Sequence, residues 1–251
     1  MLTKVDLNCD MGELAPGQTE NFDNEIMPYI SSCNVACGFH SGDPVTIEKT
    51  IRSAVAHKVV IGAHPSYDDR AHFGRKSMHV ALDILIPQLR YQIYAVKGIT
   101  ESFGMSLHHV KAHGALYNDM LNDDALAEAY VRLVKSIDKN IFIYALAHSN
   151  VTDICKANNV KYVHEVFADR KYESVNQLRS RKHEDAVIHD KSILLNQVKG
   201  FLTSELHLEQ GVASIKAESI CLHSDTAGAV QLSADIYSFL KENNVTIAAA
   251  Q

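Results

Sequence analysis

Short apolar runs that end in a histidine, aspartate or arginine recur along the whole chain. Each run has the length and composition of a buried β-strand, and segments of helical periodicity separate the runs. In a parallel β/α barrel the carboxyl ends of the strands meet at one face, and enzymes of this fold build their active sites there. The sequence therefore predicts an α/β protein, a closed barrel, with a site that includes Asp10, His40, His64, His113, Asp169, Arg170, His223 and Asp225.

The predicted elements alternate between strand and helix from one end of the chain to the other. Seven strands are expected at 4–10, 32–38, 59–64, 107–113, 141–147, 162–168 and 219–224, with a weaker candidate at 245–249. Helices are expected at 44–57, 77–103, 122–137, 149–158, 190–203 and 227–242. A length of 251 residues suits one β/α barrel, so we expect a single domain over residues 1–251.

Local signals mark several boundaries. Asp43, which a proline follows, is a strong helix start. Asn122 and either Asp225 or Thr226 are expected to cap two of the later helices. The segment 168–190 is polar and rich in Arg and Lys, so it breaks the alternation and is expected to cross the barrel mouth.

The composition argues against several classes of protein. A formal net charge of -6 with no basic tract disfavours nucleic-acid binding. The sequence has no apolar run long enough to span a bilayer and no signal-peptide core near the first residue, so we expect no membrane association and a cytoplasmic location. Five cysteines without a CxxC pair argue against a disulfide framework. The P-loop, GxGxxG, GxSxG and HExxH motifs do not occur.

The first predicted strand carries polar residues on one face. Asp6, Asn8 and Asp10 alternate along it, which is unusual for the interior of a barrel. A buried carboxylate is unfavourable unless it is paired or ligated. We therefore expect a functional role for Asp10, with Asp6 and Glu13 as weaker candidates. A polar layer satisfied by neighbouring strands is the alternative.

Histidines and cations dominate the other strand ends. Proline follows His64 and holds it in extended backbone. Lys111 and His113 share one face of their strand and would form a cationic wall suited to a carboxylate or phosphate. Histidine beside carboxylates, as at His223, suits either acid–base catalysis or divalent metal binding, and the sequence does not choose between them.

Six blocks of the chain resemble the LamB/YcsF family. They run in order from residue 5 to about residue 230 and read DLNCDMGE, SCNVACGFHSGDP, GAHPSYDDRAHFGRK, HVKAHGALYN, EVFADRKY and CLHSDTAGA. The resemblance implies a seven-stranded β/α barrel of the glycoside hydrolase/deacetylase type. It also implies ATP-driven opening of 5-oxo-L-proline to L-glutamate by a complex with partner subunits B and C. ATP would be a co-substrate with Mg²⁺, and no tightly bound organic cofactor is expected.

Roles for individual residues are hypotheses on this basis. The expected catalytic residues are Asp10, His40, His64 and His113. The expected substrate- or phosphate-binding residues are Asn8, Arg75, Lys111, Asp169, Arg170, His223 and Asp225. One alternative is a metal-dependent deacetylase or amidohydrolase in which Asp10, His40 and His64 hold the metal. A non-catalytic subunit that only binds substrate is another, and self-association into a homo-oligomer stays open.

Overall fold

Seven parallel strands close into a barrel in the computed structural model, which describes residues 1–14, 17 and 21–251. The barrel strands are β1 (Lys4–Met11), β2 (Ser32–Ala36), β3 (Val60–His64), β4 (His109–Val110), β5 (Phe142–Leu146), β6 (Tyr162–Phe167) and β11 (Ser219–His223). Short strands outside the ring are β7 (Tyr172–Ser174), β8 (Gln177–Leu178), β9 (Glu205–Leu208), β10 (Gly211–Ser214) and β12 (Thr246–Ile247). Strands β1 to β6 pair in sequence order, and β11 pairs with both β6 and β1 to close the ring. The predicted seven-stranded β/α barrel is confirmed.

Helices follow the barrel strands and cover the outside of the ring. They are α1 (Asp23–Ile26), α2 (Pro44–His57), α3 (Leu82–Ser102), α4 (Gly114–Met120), α5 (Asp124–Ile137), α6 (Asn150–Ala157), α7 (Lys191–Leu202) and α8 (Ala229–Glu242). Helix α2 has the predicted bounds, because the Asp43 carboxylate accepts hydrogen bonds from the backbone N–H groups of Val45 and Thr46. None of the helices in the described ranges is both long and apolar enough to cross a membrane.

Several predicted boundaries were wrong, each for a local reason. The strand expected at 107–113 forms ladder pairs only over β4, because the chain turns into α4 directly after His113. The helix expected to begin at residue 77 begins at Leu82. Asp123, not Asn122, caps α5 by accepting from the Leu126 N–H, and Asn122 belongs to the preceding turn.

The start of α8 also differs from the prediction. Gly228 stands at the N-cap position, in the left-handed region with φ of 76°. The side chains of Asp225 and Thr226 are not available as caps, because Asp225 pairs with Arg75 and the Thr226 hydroxyl donates to Asp169.

Two short antiparallel hairpins lie outside the barrel. Strands β7 and β8 pair with each other inside the polar segment 168–190, and β9 and β10 pair after α7. Strand β12 pairs with the first residues of β1 and does not take part in ring closure. The predicted candidate at 245–249 is thus a two-residue addition beside the barrel.

The barrel interior is polar on the β1 side and its polar groups are mutually bonded. The Asp6 carboxylate accepts from the hydroxyls of Ser31, Ser32 and Ser219. The Asn8 amide donates to Glu165 and Ser219. The alternative considered for the first strand, a satisfied polar layer, therefore describes Asp6 and Asn8.

Candidate active site

Side chains from the carboxyl ends of the barrel strands converge on a cavity of about 480 Å³. Its floor is formed by the ends of β1, β3, β6 and β11 and by the residues that follow β4, and its walls by α4 and by the segment that contains β8. The charged and imidazole groups that line it are Asp10, His64, Arg75, Lys111, His113, Arg170, Arg179, Arg181, Lys182 and His223. This is the position at which a parallel β/α barrel presents its functional residues.

Lys111 is the centre of a buried charged cluster on the cavity floor. Its ammonium group lies 2.9 Å from Asp10 Oδ1, 2.9 Å from Glu165 Oε1 and 3.0 Å from Cys221 Sγ. Burial opposes the charge on Lys111, but Asp10, Cys221 and Glu165 together outweigh burial and raise the lysine pKa. Burial likewise opposes the charge on Asp10, but His64 and Lys111 hold the Asp10 pKa well below its usual range. Both groups are therefore charged at neutral pH.

Three histidines and a glutamate form a second cluster beside the first. Glu13 Oε1 lies 2.8 Å from His40 Nε2, 3.2 Å from His113 Nδ1 and 3.8 Å from His64 Nε2. His64 Nε2 also lies 3.3 Å from Asp10 Oδ2, which joins the two clusters. Burial lowers the pKa of His40 to about 3 and lowers that of His113 as well. Burial also disfavours charge on His64, but the neighbouring Asp10 carboxylate outweighs it and raises the His64 pKa.

The local backbone holds this second cluster tightly. Gly74 has φ of +62°, and a Cβ there would lie 2.8 Å from both His113 Cδ2 and His40 Cβ. Phe73 also lies in the left-handed region, and its carbonyl accepts a hydrogen bond from His113 Nε2 at 2.9 Å. The loop after β3 thus fixes the orientation of the His113 ring.

His223 is held by a buried carboxylate behind it. Its Nδ1–H donates to Asp169, with 3.0 Å to either carboxylate oxygen, and its Nε2 lies 4.0 Å from Asp10 Oδ2. Burial opposes ionisation of Asp169, but the charge of His223 and its hydrogen bond outweigh burial and lower the Asp169 pKa. Because Nδ1 is bonded to Asp169, Nε2 is the His223 nitrogen that can exchange a proton with a ligand in the cavity.

The guanidinium groups of Arg75, Arg170 and Arg181 lie close to one another at the cavity wall. Arg75 pairs with Asp225 at 2.5 Å, whereas Arg170 donates to the backbone carbonyl of Arg179 at 2.7 Å. Burial, reinforced by the charge of Arg181, lowers the pKa of Arg170 to about 10. Burial lowers the pKa of Arg181, and the nearby positive charge of Arg75 lowers it further. Like charges held this close attract an anionic ligand.

The residues expected from the sequence separate into two layers. Those that line the cavity are Asp10, His64, Arg75, Lys111, His113, Arg170 and His223. The others lie behind the lining: Asn8, Asp169 and Asp225 bond to lining residues, and the His40 ring stacks on that of His113. Arg170 differs from its expected role in part, because its guanidinium also donates to the backbone carbonyls of Arg179 and Ala186 and so holds the segment 168–190 together.

Sequence reasoning missed other members of the site. Glu165 places a carboxyl group inside the predicted strand β6, next to the apolar Val166 and Phe167, which is a signal that a sequence reading can use. Tyr117 donates from its hydroxyl to Glu165 at 3.0 Å and lines the cavity from α4. Arg181 comes from a stretch without periodicity, so no sequence signal distinguishes it from its neighbours.

The fold and the site define a β/α-barrel protein with buried acid–base clusters at the carboxyl ends of its strands. The model of the LamB/YcsF family matches residues 5–251, and the chain belongs to that family. It is 42% identical over 245 residues to the A subunit of 5-oxoprolinase from Acinetobacter baumannii strain ACICU, covering 97% of this chain and 96% of the relative.

Solved structures agree with the assignment. The lactam utilization protein from Thermus thermophilus superposes with a TM-score of 0.91 at 31% identity, covering 98% of this chain and 100% of that one. The catalytic domain of a peptidoglycan N-acetylglucosamine deacetylase from Eubacterium rectale gives a TM-score of 0.54 at 10% identity, covering 99% and 89%. That second likeness shows the fold alone. The shared fold is the deacetylase-type barrel that the family resemblance implies.

Proposed function

We propose that this chain is the A subunit of an ATP-dependent 5-oxoprolinase and that the lactam ring of 5-oxo-L-proline opens in its cavity. The relatives named above support the assignment. The observation that carries it is the pairing of a cationic wall with the Asp10 and histidine clusters in one cavity. The first feature suits an anionic substrate, and the second suits addition of water to a carbonyl carbon.

The substrate class fits the charges and the size of the cavity. 5-Oxo-L-proline carries one carboxylate, and a phosphoryl group on its lactam oxygen would add further negative charge. Arg75, Arg181 and Lys182 are the candidates to bind these oxygens. A volume of about 480 Å³ falls within the usual range for small-molecule sites and leaves room for the phosphoryl group beside the ring.

ATP is needed because an amide carbonyl is a weak electrophile. Transfer of the γ-phosphoryl group to the lactam oxygen releases ADP and activates the carbon. One water adds to that carbon, the C–N bond breaks, and the nitrogen takes up a proton. A second water hydrolyses the resulting acyl phosphate to L-glutamate and phosphate. Mg²⁺ accompanies the ATP as in other phosphoryl transfers.

The charge and the hydrogen bonds of each residue indicate which part of the reaction it can serve. Asp10 is held ionised, so it is a weak base and we assign it to orient the attacking water. His223 presents Nε2 to the cavity and is backed by Asp169, so we assign it to take the proton from that water. Lys111 lies between Asp10 and Glu165 and stabilises negative charge that develops at the substrate oxygen.

The test is reconstitution with the partner subunits. We expect glutamate and phosphate to be released in equal amounts from 5-oxoproline and ATP when this chain is mixed with subunits B and C. Subunits B and C without this chain should release no glutamate. Equal glutamate release with and without this chain would contradict the proposal, because the chain would then be dispensable for the reaction. Hydrolysis of N-acetylated sugars by the chain alone would favour the deacetylase alternative.

A further inference from the structure

Glu13, His64 and His113 place three donor atoms in a small triangle at the inner edge of the cavity. Glu13 Oε1, His64 Nε2 and His113 Nδ1 are separated by 3.0, 3.2 and 3.8 Å. Donors that share a tetrahedral metal ion at about 2.1 Å are about 3.4 Å apart. The triangle thus has the dimensions of a metal site before any side chain moves.

The other nitrogen of each of these two imidazoles is already committed. His64 Nδ1 lies 2.7 Å from the backbone carbonyl of Lys111, and His113 Nε2 lies 2.9 Å from that of Phe73. A carbonyl oxygen only accepts, so both of these nitrogens carry hydrogen. In the neutral rings His64 Nε2 and His113 Nδ1 are then lone pairs that face each other. This use of the distant nitrogen to fix the tautomer is usual for histidines that bind metal.

Two lone pairs at 3.0 Å beside a carboxylate oxygen repel one another unless a cation lies between them. All three side chains are buried, so water screens this repulsion poorly. Either an additional proton or a metal ion can supply the positive charge. The three donor atoms are close enough for one ion to contact all of them, whereas a proton joins only two.

His40 belongs to the cluster but not to the triangle. Its ring is stacked on that of His113, with centroids 3.7 Å apart and planes inclined by 4°. A metal ion lies close to the plane of an imidazole that binds it, so two parallel stacked rings cannot share one ion without tilting. The rings of His64 and His113 are inclined by 88°, which allows both planes to contain the same point.

We propose that Glu13, His64 and His113 bind one divalent transition-metal ion of the zinc class, with His40 as a hydrogen-bond partner of the Glu13 carboxylate. Two imidazole nitrogens and one carboxylate oxygen form the donor set of many hydrolytic zinc sites. Nitrogen donors disfavour Mg²⁺ and Ca²⁺, so this ion is distinct from the Mg²⁺ that accompanies ATP. The inference does not depend on the proposed reaction.

The experiment counts metal on the isolated chain. Protein stripped with a chelator is titrated with Zn²⁺, Co²⁺ or Mg²⁺, and bound metal is measured after dialysis by plasma mass spectrometry. We expect one Zn²⁺ or Co²⁺ per chain, a higher Tm with Zn²⁺, a visible absorption band with Co²⁺, and no Mg²⁺ retained. A wild-type chain that retains none of these ions would overturn the proposal and would leave a proton shared by His64 and His113.

Matched variants locate the ion. Glu13→Gln and His113→Gln are expected to weaken Zn²⁺ binding by more than about 100-fold, because each removes a ligand. His223→Gln is the control, since His223 lies with Asp10 and Cys221 in the neighbouring cluster, and it should bind Zn²⁺ as wild type does. Loss of the ion in His223→Gln together with retention in Glu13→Gln would place the metal elsewhere. These readouts need neither turnover nor the partner subunits, so they stay separate from the test of the proposed function.

Discussion

The ammonium group of Lys111 lies 2.9 Å from Oδ1 of Asp10, and the lysine is only 2% exposed. Glu165 approaches the same ammonium group from β6 at 2.9 Å. Removal of one partner from a buried ion pair is strongly destabilising, because it leaves an uncompensated buried charge. This relationship therefore links the stability of the barrel to the chemistry of its cavity.

Replacing Lys111 with methionine should destabilise the fold and stop turnover. The change leaves two carboxylates buried without their shared cation, which costs about 3–5 kcal/mol. The free energy of unfolding in urea measures the effect. The double variant Lys111→Met/Glu165→Gln removes one of the two charges and should regain part of this stability while it stays inactive. Equal stability of the single and double variants would show that the three groups do not act as a charged cluster.

Gly62→Ala should disrupt the barrel interior. An added Cβ would lie 2.2 Å from His109 Nε2, and that ring is fixed by a hydrogen bond to Asn34 and by stacking on Tyr144. We expect a loss of about 3 kcal/mol or more in the free energy of unfolding. Gly98→Ala is the matched control: it lies exposed within α3, where the added Cβ meets no described atom within 4 Å, and it should stabilise by about 0.5–1 kcal/mol. A similar effect of both changes would contradict the packing account.

Arg181→Gln should weaken substrate binding more than it slows the chemical step. Arg181 contributes positive charge to the cavity wall, and loss of one charged hydrogen bond to an anionic substrate corresponds to a rise in KM of about 10- to 100-fold. Steady-state kinetics of the complex with subunits B and C measures it. Arg132→Gln makes the same change on the exposed face of α5 and should leave KM unaltered. An unchanged KM in Arg181→Gln would remove this residue from the site.

Asp23 should make stability depend on pH. Its buried carboxylate accepts from the Gly12 N–H and the Thr50 hydroxyl, yet burial raises its pKa from 3.8 to about 6. A raised pKa means that the contribution of Asp23 is complete below about pH 4 and is lost as pH rises through about 6, by about 3 kcal/mol in all. The stability of Asp23→Asn relative to wild type should therefore increase between pH 4 and pH 7 in urea titrations. A difference that is constant with pH would contradict this assignment.

The strand ends were predictable from two patterns in the sequence: the apolar runs themselves and the regular alternation of strand and helix. Apolar runs with a polar last residue led to Asp10 and His64, and strand and helix alternation led to the closed barrel. The distance of a side chain from the cavity was harder to predict. The alternation of residues along a strand shows whether a side chain points into the barrel, but not how far below the cavity it lies. Asn8 was expected at the substrate, but its partners in the barrel place it below the cavity.

Contributions from irregular segments could not be read from periodicity. Arg181 reaches the cavity only because the β7–β8 hairpin folds the segment 168–190 over the barrel. Glu13 joins the histidines because Gly12, with φ of +72°, turns the chain after β1. Positions of this kind depend on tertiary structure, which a sequence pattern does not encode locally.

The most direct test of the account is glutamate release by the complex that contains Asp10→Asn. Asparagine keeps the shape of the side chain and removes the charge that orients water and pairs with Lys111. With assembly on subunits B and C verified by gel filtration, we predict a loss of glutamate release of about 100-fold or more. Glutamate release at the wild-type rate from a fully assembled Asp10→Asn complex would contradict the claim that the lactam opens in this cavity.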